Sequence, residues 1–374
     1  MKISALLLLA APLAFAAPSA AQAPERPNLP RGADANDWQA YVALGEQKFW
    51  DAPDQAYAAF YWASRLDPSR PEPPLAMWAA FFARDASLWL GYLDADPEVL
   101  RRPQVIANDS LATRAYLRNP FVHRGLEVAL VLWLGDMLQW DERMYAFTAY
   151  GRGNFHEAAE RFGALVRANP GRNVRLRHFR ALSFAGAGQM DSAVVEIQTL
   201  LQVLRARDEA RVGTGYESKA RWEYALGRIY EAQGRTDEAR EAFGRALLED
   251  LAMYPANAAL ARLEVRSGNA AEALVHAATA AETAPGDAVM QFEHANALAA
   301  AGHLDQAVQA YRRAIELEPY WADPYLRLGV LNDTLGEAAE ALAAYRGYVE
   351  RAPQGQAETI RRAEQRIATL QQPG

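Results

Sequence analysis

Arg228, Arg262 and Asn296 stand 34 residues apart, and Arg266 and Arg327 lie on neighbouring turns of the same series. A guanidinium offers a planar fork of donors that fits a carboxylate bidentately, so such a row is chemistry for recognising acidic side chains or the carboxylate end of a peptide. The same row also reads as a solvated face whose arginines pair within the chain, with Glu231, Glu264 and Glu293 in range. The constellations of an enzyme are missing. The histidines are His123, His156, His178, His276, His294 and His303, and none forms a metal pair at helical spacing. His156-Glu157 begins like a zinc-protease motif, but Glu160 stands where the second histidine is needed. No lysine follows a glycine, which removes a phosphate-binding P-loop. Gly213-Thr214-Gly215 lacks the third glycine and the preceding strand of a dinucleotide site. There is no Gly-x-Ser-x-Gly elbow and no Ser-x-x-Lys pair. Acidic pairs such as Asp94 and Asp96 are ordinary on solvated helices. With no cysteine, disulfides, thiolate catalysis and cysteine-ligated metal are excluded. We therefore expect no catalytic residue, no cofactor and no metal.

The arginine row belongs to a longer frame. Gly234, Gly268, Gly302 and Gly336 recur every 34 residues. Five residues after each stands Ala239, Ala273, Ala307 or Ala341. Nine after it comes Phe243, Ala277, Tyr311 or Tyr345, and twelve after it Ala246, Ala280, Ala314 or Tyr348. Pro285, Pro319 and Pro353 close three of the four units, and seven residues before each glycine lies Gly227, Ala261, Ala295 or Gly329. A period between 20 and 50 residues is the mark of a solenoid, in which each unit covers the apolar face of its neighbour.

Physically, the frame describes two helices per unit. Small residues allow helices to approach closely, and the frame glycine ends the first helix in a left-handed C-cap that a Cβ would disfavour. The second helix starts with acidic residues, as in Thr236-Asp237-Glu238, which suits the positive end of its dipole. Alanine, aromatic and alanine then follow on one face at helical spacing. Proline stops the unit, because it disfavours helix in the residue before it. Helices of about 12 residues are marginal alone in water, so their order must come from stacking.

Small residue, glycine, alanine, aromatic, alanine and proline at these positions resemble the tetratricopeptide repeat family. The match is densest over residues 218 to 353. It extends upstream to Gly153, Ala158, Phe162 and Pro170, and to Gly188, Ala193 and Ile197. The resemblance implies an all-α right-handed superhelical solenoid of antiparallel helix pairs, with six repeats at about 139–170, 174–205, 220–251, 254–285, 288–319 and 322–353. It also implies that the first helix of each pair lines a concave groove that binds a protein or peptide. Arg228, Arg262, Arg266, Asn296 and Arg327 are then the groove candidates, and a partner with acidic groups is expected. The family's carboxylate clamp for chaperone tails uses lysines that are missing here, so that function does not carry over. Residues 354–374 read as a capping helix and tail, with Glu358 to Leu370 shielding the last repeat.

The remaining segments break the frame. Met1-Lys2-Ile3-Ser4 and the Leu/Ala-rich run to Ala17 have the form of a secretory signal over residues 1–21, without the cysteine of a lipoprotein. An exported, periplasmic protein of bacterial type is expected. Residues 22–37 are Pro-rich and aperiodic and read as a flexible leader. Residues 38–140 form a divergent aromatic-rich helical region, with one eroded repeat near 41–68 that keeps Ala56, Phe60, Ala63 and Pro68 behind a turn about one residue short. Seven of the nine tryptophans lie there: Trp38, Trp50, Trp62, Trp78, Trp89, Trp133 and Trp140. Asp109 to Arg118 and Val122 to Leu138 read as helices, the second too short and too charged to span a bilayer. Gly188 and Gly234 are 46 apart, which marks an insertion of about twelve residues near Arg205 to Ser218 with a loop at Val212 to Tyr216.

Net charge is −7 with no basic tract, which argues against nucleic acid. The expected function is an exported protein–protein interaction scaffold that holds a peptide or protein surface in its groove, within a cell-envelope assembly. Two other classes are kept: a membrane-surface or glycan-binding module using the Trp-rich region, and a hydrolase with a site in residues 70–140. Exposure of Trp78, Trp89, Trp133 and Trp140 separates the first of these from the scaffold.

Overall fold

The computed structural model describes residues 23–49, 51–70, 72–74, 76–77, 80, 142–151, 153–170, 176–210 and 218–372. Among these residues the regular structure is helical and arranged in hairpins. The first is α1 (Trp38–Lys48) with α2 (Pro53–Leu66). Six more run on in series: α3 (Glu142–Gly151) with α4 (Phe155–Ala168), α5 (Leu176–Gly186) with α6 (Met190–Ala210), α7 (Ala220–Ala232) with α8 (Thr236–Glu249), α9 (Tyr254–Ser267) with α10 (Ala270–Thr283), α11 (Ala288–Ala300) with α12 (Leu304–Leu317), and α13 (Asp323–Leu335) with α14 (Ala338–Arg351). A 3-10 turn, Gln354–Gln356, leads to the last helix, α15 (Ala357–Leu370). This is the expected all-α solenoid with its capping helix.

The turn inside each repeat is made by its glycine. Gly153, Gly188, Gly234, Gly268, Gly302 and Gly336 all have φ between 72° and 80°, the left-handed region that a residue with a Cβ enters only at a steric cost. The chain then re-enters a helix whose buried face follows the sequence pattern. In α12 the buried residues are Ala307, Val308, Ala310, Tyr311 and Ala314, one stripe at 3.6-residue periodicity, and the helix ends at Glu318, before Pro319. The frame alanines Ala158, Ala193, Ala239, Ala273, Ala307 and Ala341 are completely buried.

The crossing of each hairpin is set by the residue seven before the glycine. At Gly227 an added Cβ would run into the ring of Phe243, and at Gly329 it would approach Tyr345 to 2.8 Å. Where that position is Ala261, its counterpart is Ala277, and both are buried in one cluster. Volume removed from one helix is thus supplied by the other. In the α1–α2 hairpin, a Cβ added at Gly45 would likewise meet the Phe60 ring, at 2.5 Å, with an interval one residue shorter, matching its short turn.

Two segments differ from the sequence expectation. Helix α6 is 21 residues long instead of about 14, so part of the insertion after Arg205 lengthens a helix. Leu200, Leu201 and Leu204 continue its buried stripe, Arg205 pairs with buried Glu223, and Lys219 closes on Asp208. Residues 23–37, expected to be a flexible leader, are held against the first hairpin. Arg26 donates from Nε to the Tyr41 hydroxyl at 2.8 Å and from Nη2 to the Ala35 carbonyl, the Trp62 Nε1–H donates to the Pro24 carbonyl at 2.9 Å, and Leu29 packs beside Tyr41, Ala63 and Leu66. Each of these contacts is singular, so no periodicity announces them. The signal-like segment 1–21, the helices at 109–118 and 122–138, the loop at 212–216 and Trp50, Trp78, Trp89, Trp133 and Trp140 lie outside the described residues. Of the N-terminal tryptophans within them, Trp38 and Trp62 are half-buried in the first hairpin.

Candidate functional site

The first helices α7, α9 and α11 stand side by side. Between them opens a cavity of about 380 Å³, lined by Tyr224, Arg228, Glu231 and Ala232 of α7, Pro255, Ala258 and Arg262 of α9, and Val289, Met290 and Glu293 of α11, with Ser69 from just beyond α2. The lining from the repeats comes from first helices alone. Second helices supply the layer behind, as Phe243 and Ala246 of α8 do against Tyr224. The helix spacing that buries one stripe therefore leaves the opposite stripe, with its arginines, facing the cavity.

Two of the five sequence candidates, Arg228 and Arg262, line this cavity, and Arg266 and Asn296 are joined to it by charge and hydrogen bonds. Glu231 is the hub. Its carboxylate receives Arg266 Nη2 at 2.7 Å, Arg228 Nε at 3.4 Å and Arg262 Nη2 at 3.5 Å. Arg262 reaches across to Glu293 of α11 at 3.5 Å, Asn296 Nδ2 donates to Glu293 at 3.4 Å, and the Tyr311 hydroxyl donates to Asn296 Oδ1 at 2.7 Å. Arg228 also donates to the Tyr224 hydroxyl at 3.3 Å. Arg327, exposed on α13, acts on this end only through its charge, which is felt at Tyr311.

The electrostatics follow from burial and charge. Burial works against the charge of Glu231, but Arg262, Arg266 and Arg228 outweigh it and hold the carboxyl below the usual range. Burial likewise opposes the Arg262 charge, and Glu293 and Glu231 more than restore it. Burial pushes the Tyr311 phenol up to about 12, so it stays a neutral donor. Three arginines thus share two carboxylates, mostly at 3.4–3.5 Å, the long end of the ion-pair range. Pairs of that length are weak where partly solvated.

Sequence reasoning singled out Arg228 and Arg262, which line the cavity, and Arg266 and Arg327, which do not, and named Glu231 and Glu293 as internal partners. It missed Tyr224, the Asn296–Tyr311 bridge and Ser69. Tyr224 lies four residues before Arg228, a spacing that carried a signal; Ser69 lies outside the repeat frame and carried none. Elsewhere, His276 Nδ1 donates to Asn257 Oδ1 at 2.9 Å within the core. Among the described residues no group of three His, Cys, Asp or Glu is placed to hold a metal ion, and no helix is long and apolar enough to cross a membrane.

Stacked helical hairpins with a polar groove along the first helices define an α-helical repeat protein of the solenoid class. The repeats are tetratricopeptide repeats: models of that family match residues 148–211 and 224–251, and a TPR repeat model matches residues 295–336. A wheat (Triticum aestivum) Hsp70-Hsp90 organizing protein is 37% identical over 79 residues, 21% of this chain; the chain spans only 14% of that protein's length. Among solved structures, YrrB, described as a TPR protein with an unusual peptide-binding site, is 21% identical over 56% of this chain and all of its own, with a TM-score of 0.45. The C-terminal part of a TPR repeat-containing protein from Cytophaga hutchinsonii is 18% identical over 62% of this chain and 95% of its own, with a TM-score of 0.47.

Proposed function

We propose that the cavity between α7, α9 and α11 is the seat of a polypeptide partner and that an acidic group of that partner is received by Arg228 and Arg262. The observation that carries this is the composition of the cavity wall, drawn from the first helices of three consecutive repeats, where Arg228 and Arg262 meet Glu231 and Glu293 in pairs of 3.4–3.5 Å. A partner carboxylate would take over guanidinium donors now shared between Glu231 and Glu293, while Val289, Met290 and Pro255 offer apolar contact on the same wall. We read the chain as a binding protein and not as an enzyme, since its sequence assembles no nucleophile, metal or cofactor motif. The signal-like start, Met1 to Ala17, supports export to the periplasm and a place in a cell-envelope assembly.

The test is capture from the envelope fraction of the source cell with the native chain and with Arg228→Glu/Arg262→Glu. Charge reversal is expected to abolish capture of the specific partner while helicity and unfolding midpoint stay the same. Equal capture by both proteins would overturn the assignment. Recovery of the chain only from the cytoplasm, with residues 1–21 retained, would overturn the location.

A further inference from the structure

The first hairpin touches the far end of the solenoid. Arg65 on α2 pairs with Glu318, its Nη1 donating to Oε1 at 3.1 Å with Nε 3.0 Å from Oε2, although the two residues are 253 apart in sequence. Glu318 lies at the end of α12 with its side chain only 5% exposed. The Trp62 ring meets Tyr320 edge-on at 5.0 Å. Asn36 Nδ2 donates to the Glu350 carbonyl at 2.9 Å, and the Gln354 N–H donates to Asp34 Oδ2 at 2.6 Å. Ser69, three residues past the end of α2, forms part of the wall of the arginine cavity.

This contact differs in kind from those between repeats. The repeats share continuous apolar cores, as where residues of α5 through α9 fall in one cluster. Among the described residues, the apolar clusters of the hairpin include no side chain from residues 218–372. The seam contacts named above are therefore an ion pair, an aromatic edge and hydrogen bonds. Polar seams of this type hold in place but release at modest cost.

We propose, building on the groove assignment above, that residues 23–70 are a displaceable clasp: an intramolecular ligand that docks through Arg65 on Glu318, closes one end of the arginine cavity with Ser69, and competes with an entering polypeptide. Tethering keeps the clasp at high effective concentration, and a partner then sees only the fraction of molecules in which the clasp is open.

The test uses the full chain and, as probe, a fluorescein-labelled synthetic peptide of residues 53–70, followed by anisotropy. In the native chain the tethered copy fills the seat and the probe binds weakly. Arg65→Glu releases the tethered copy but leaves Glu318 for the probe's own arginine, and affinity is expected to rise roughly tenfold or more, since the tethered copy no longer competes for the seat. Glu318→Arg releases the clasp and removes the seat, so no rise follows. Arg65→Glu with Glu318→Arg closes the clasp again and returns binding to the native level. Asp34→Ala/Asn36→Ala, which removes contacts outside the core, raises probe affinity in the same direction and guards against misfolding of the Arg65 variant. Hydrogen exchange in residues 38–66 and 318–354 should quicken in Arg65→Glu and recover in the swapped pair. Equal probe binding by the native chain and Arg65→Glu, with unchanged exchange, overturns the clasp. That outcome leaves the groove assignment standing, because the latter is decided by the Arg228 and Arg262 reversal and not by the probe.

Discussion

Gly227 on α7 lies against the ring of Phe243 on α8 so closely that a Cβ at position 227 cannot be accommodated without moving the ring. Phe243 is completely buried. Gly227→Ala is therefore expected to destabilise the chain by about 1–3 kcal/mol, as overpacking does in a filled core. Urea unfolding checks it. Adding Phe243→Ala should make the second change cost less than it does alone in the native background, because the two positions share one space.

Lys219 is the one lysine among the repeats and is only 3% exposed. Its ammonium sits 2.5 Å from Asp208 and 3.9 Å from Glu249, and its backbone N–H donates to the Glu249 carboxylate at 3.1 Å. It thereby ties the extended end of α6 to the start of α7 and the end of α8. Lys219→Met keeps the stem's volume and removes the charge. The expected loss is about 1–3 kcal/mol, the cost of leaving polar partners unsatisfied, with fastest new hydrogen exchange at residues 200–210. Native-like exchange there would contradict the role.

Stability should fall on acidification in two stages. Burial lowers the pKa of His276 and of His294 below the ordinary 6.5, so below that pH the unfolded chain takes up protons that the folded chain resists, and stability begins to drop. Glu264, hydrogen-bonded by Arg240, and Glu231, held by Arg262 despite its burial, lie below the ordinary 4.5. Their contribution is fully present above 4.5 and is lost as the pH falls through their folded values. Unfolding midpoints measured from pH 8 to pH 3 should decline through both windows, and His276→Gln should flatten the first. A midpoint that rises on acidification would refute the assignment.

Arg366 of α15 grips Asp333 of α13 through two bonds of 2.5 and 2.6 Å, and that hydrogen bond holds the Asp333 carboxyl below its usual range. Ala363, Ile360 and Ile367 cover the apolar end of the last repeat beside it. Because repeats couple only to neighbours, Asp333→Asn should loosen residues 357–370 and leave residues 220–300 unaffected in hydrogen exchange. A uniform rise along the chain would show that the cap governs the whole stack.

What was legible in the sequence was what the period carries. Gly234 and Ala239 do the same job in every unit, and the Phe243 position carries a ring except at Ile197 and Ala277, so position in the frame predicts a left-handed cap, a buried crossing and, mostly, a packed ring. The row of Arg228, Arg262 and Asn296 was legible for the same reason. The frame says nothing about contacts that skip units. Arg65 with Glu318 and Asn36 with Glu350 join residues more than 250 apart, and no local spacing foretells them. Nor could the leader be read. Arg26 and Leu29 are held by tertiary partners, while composition sees only an aperiodic Pro-rich stretch. The lengthening of α6 was hidden because the insertion was counted from glycine spacing, which measures extra residues but not their conformation.

The most direct measurement is site-specific photo-crosslinking in the source cell. A benzophenone side chain at Ala232, exposed on the cavity wall, is compared with one at Val275, 65% exposed on second helix α10. The groove account requires one partner band from Ala232, lost on Arg228→Glu/Arg262→Glu, and none from Val275. The same partner crosslinking from Val275 and not from Ala232 would contradict it.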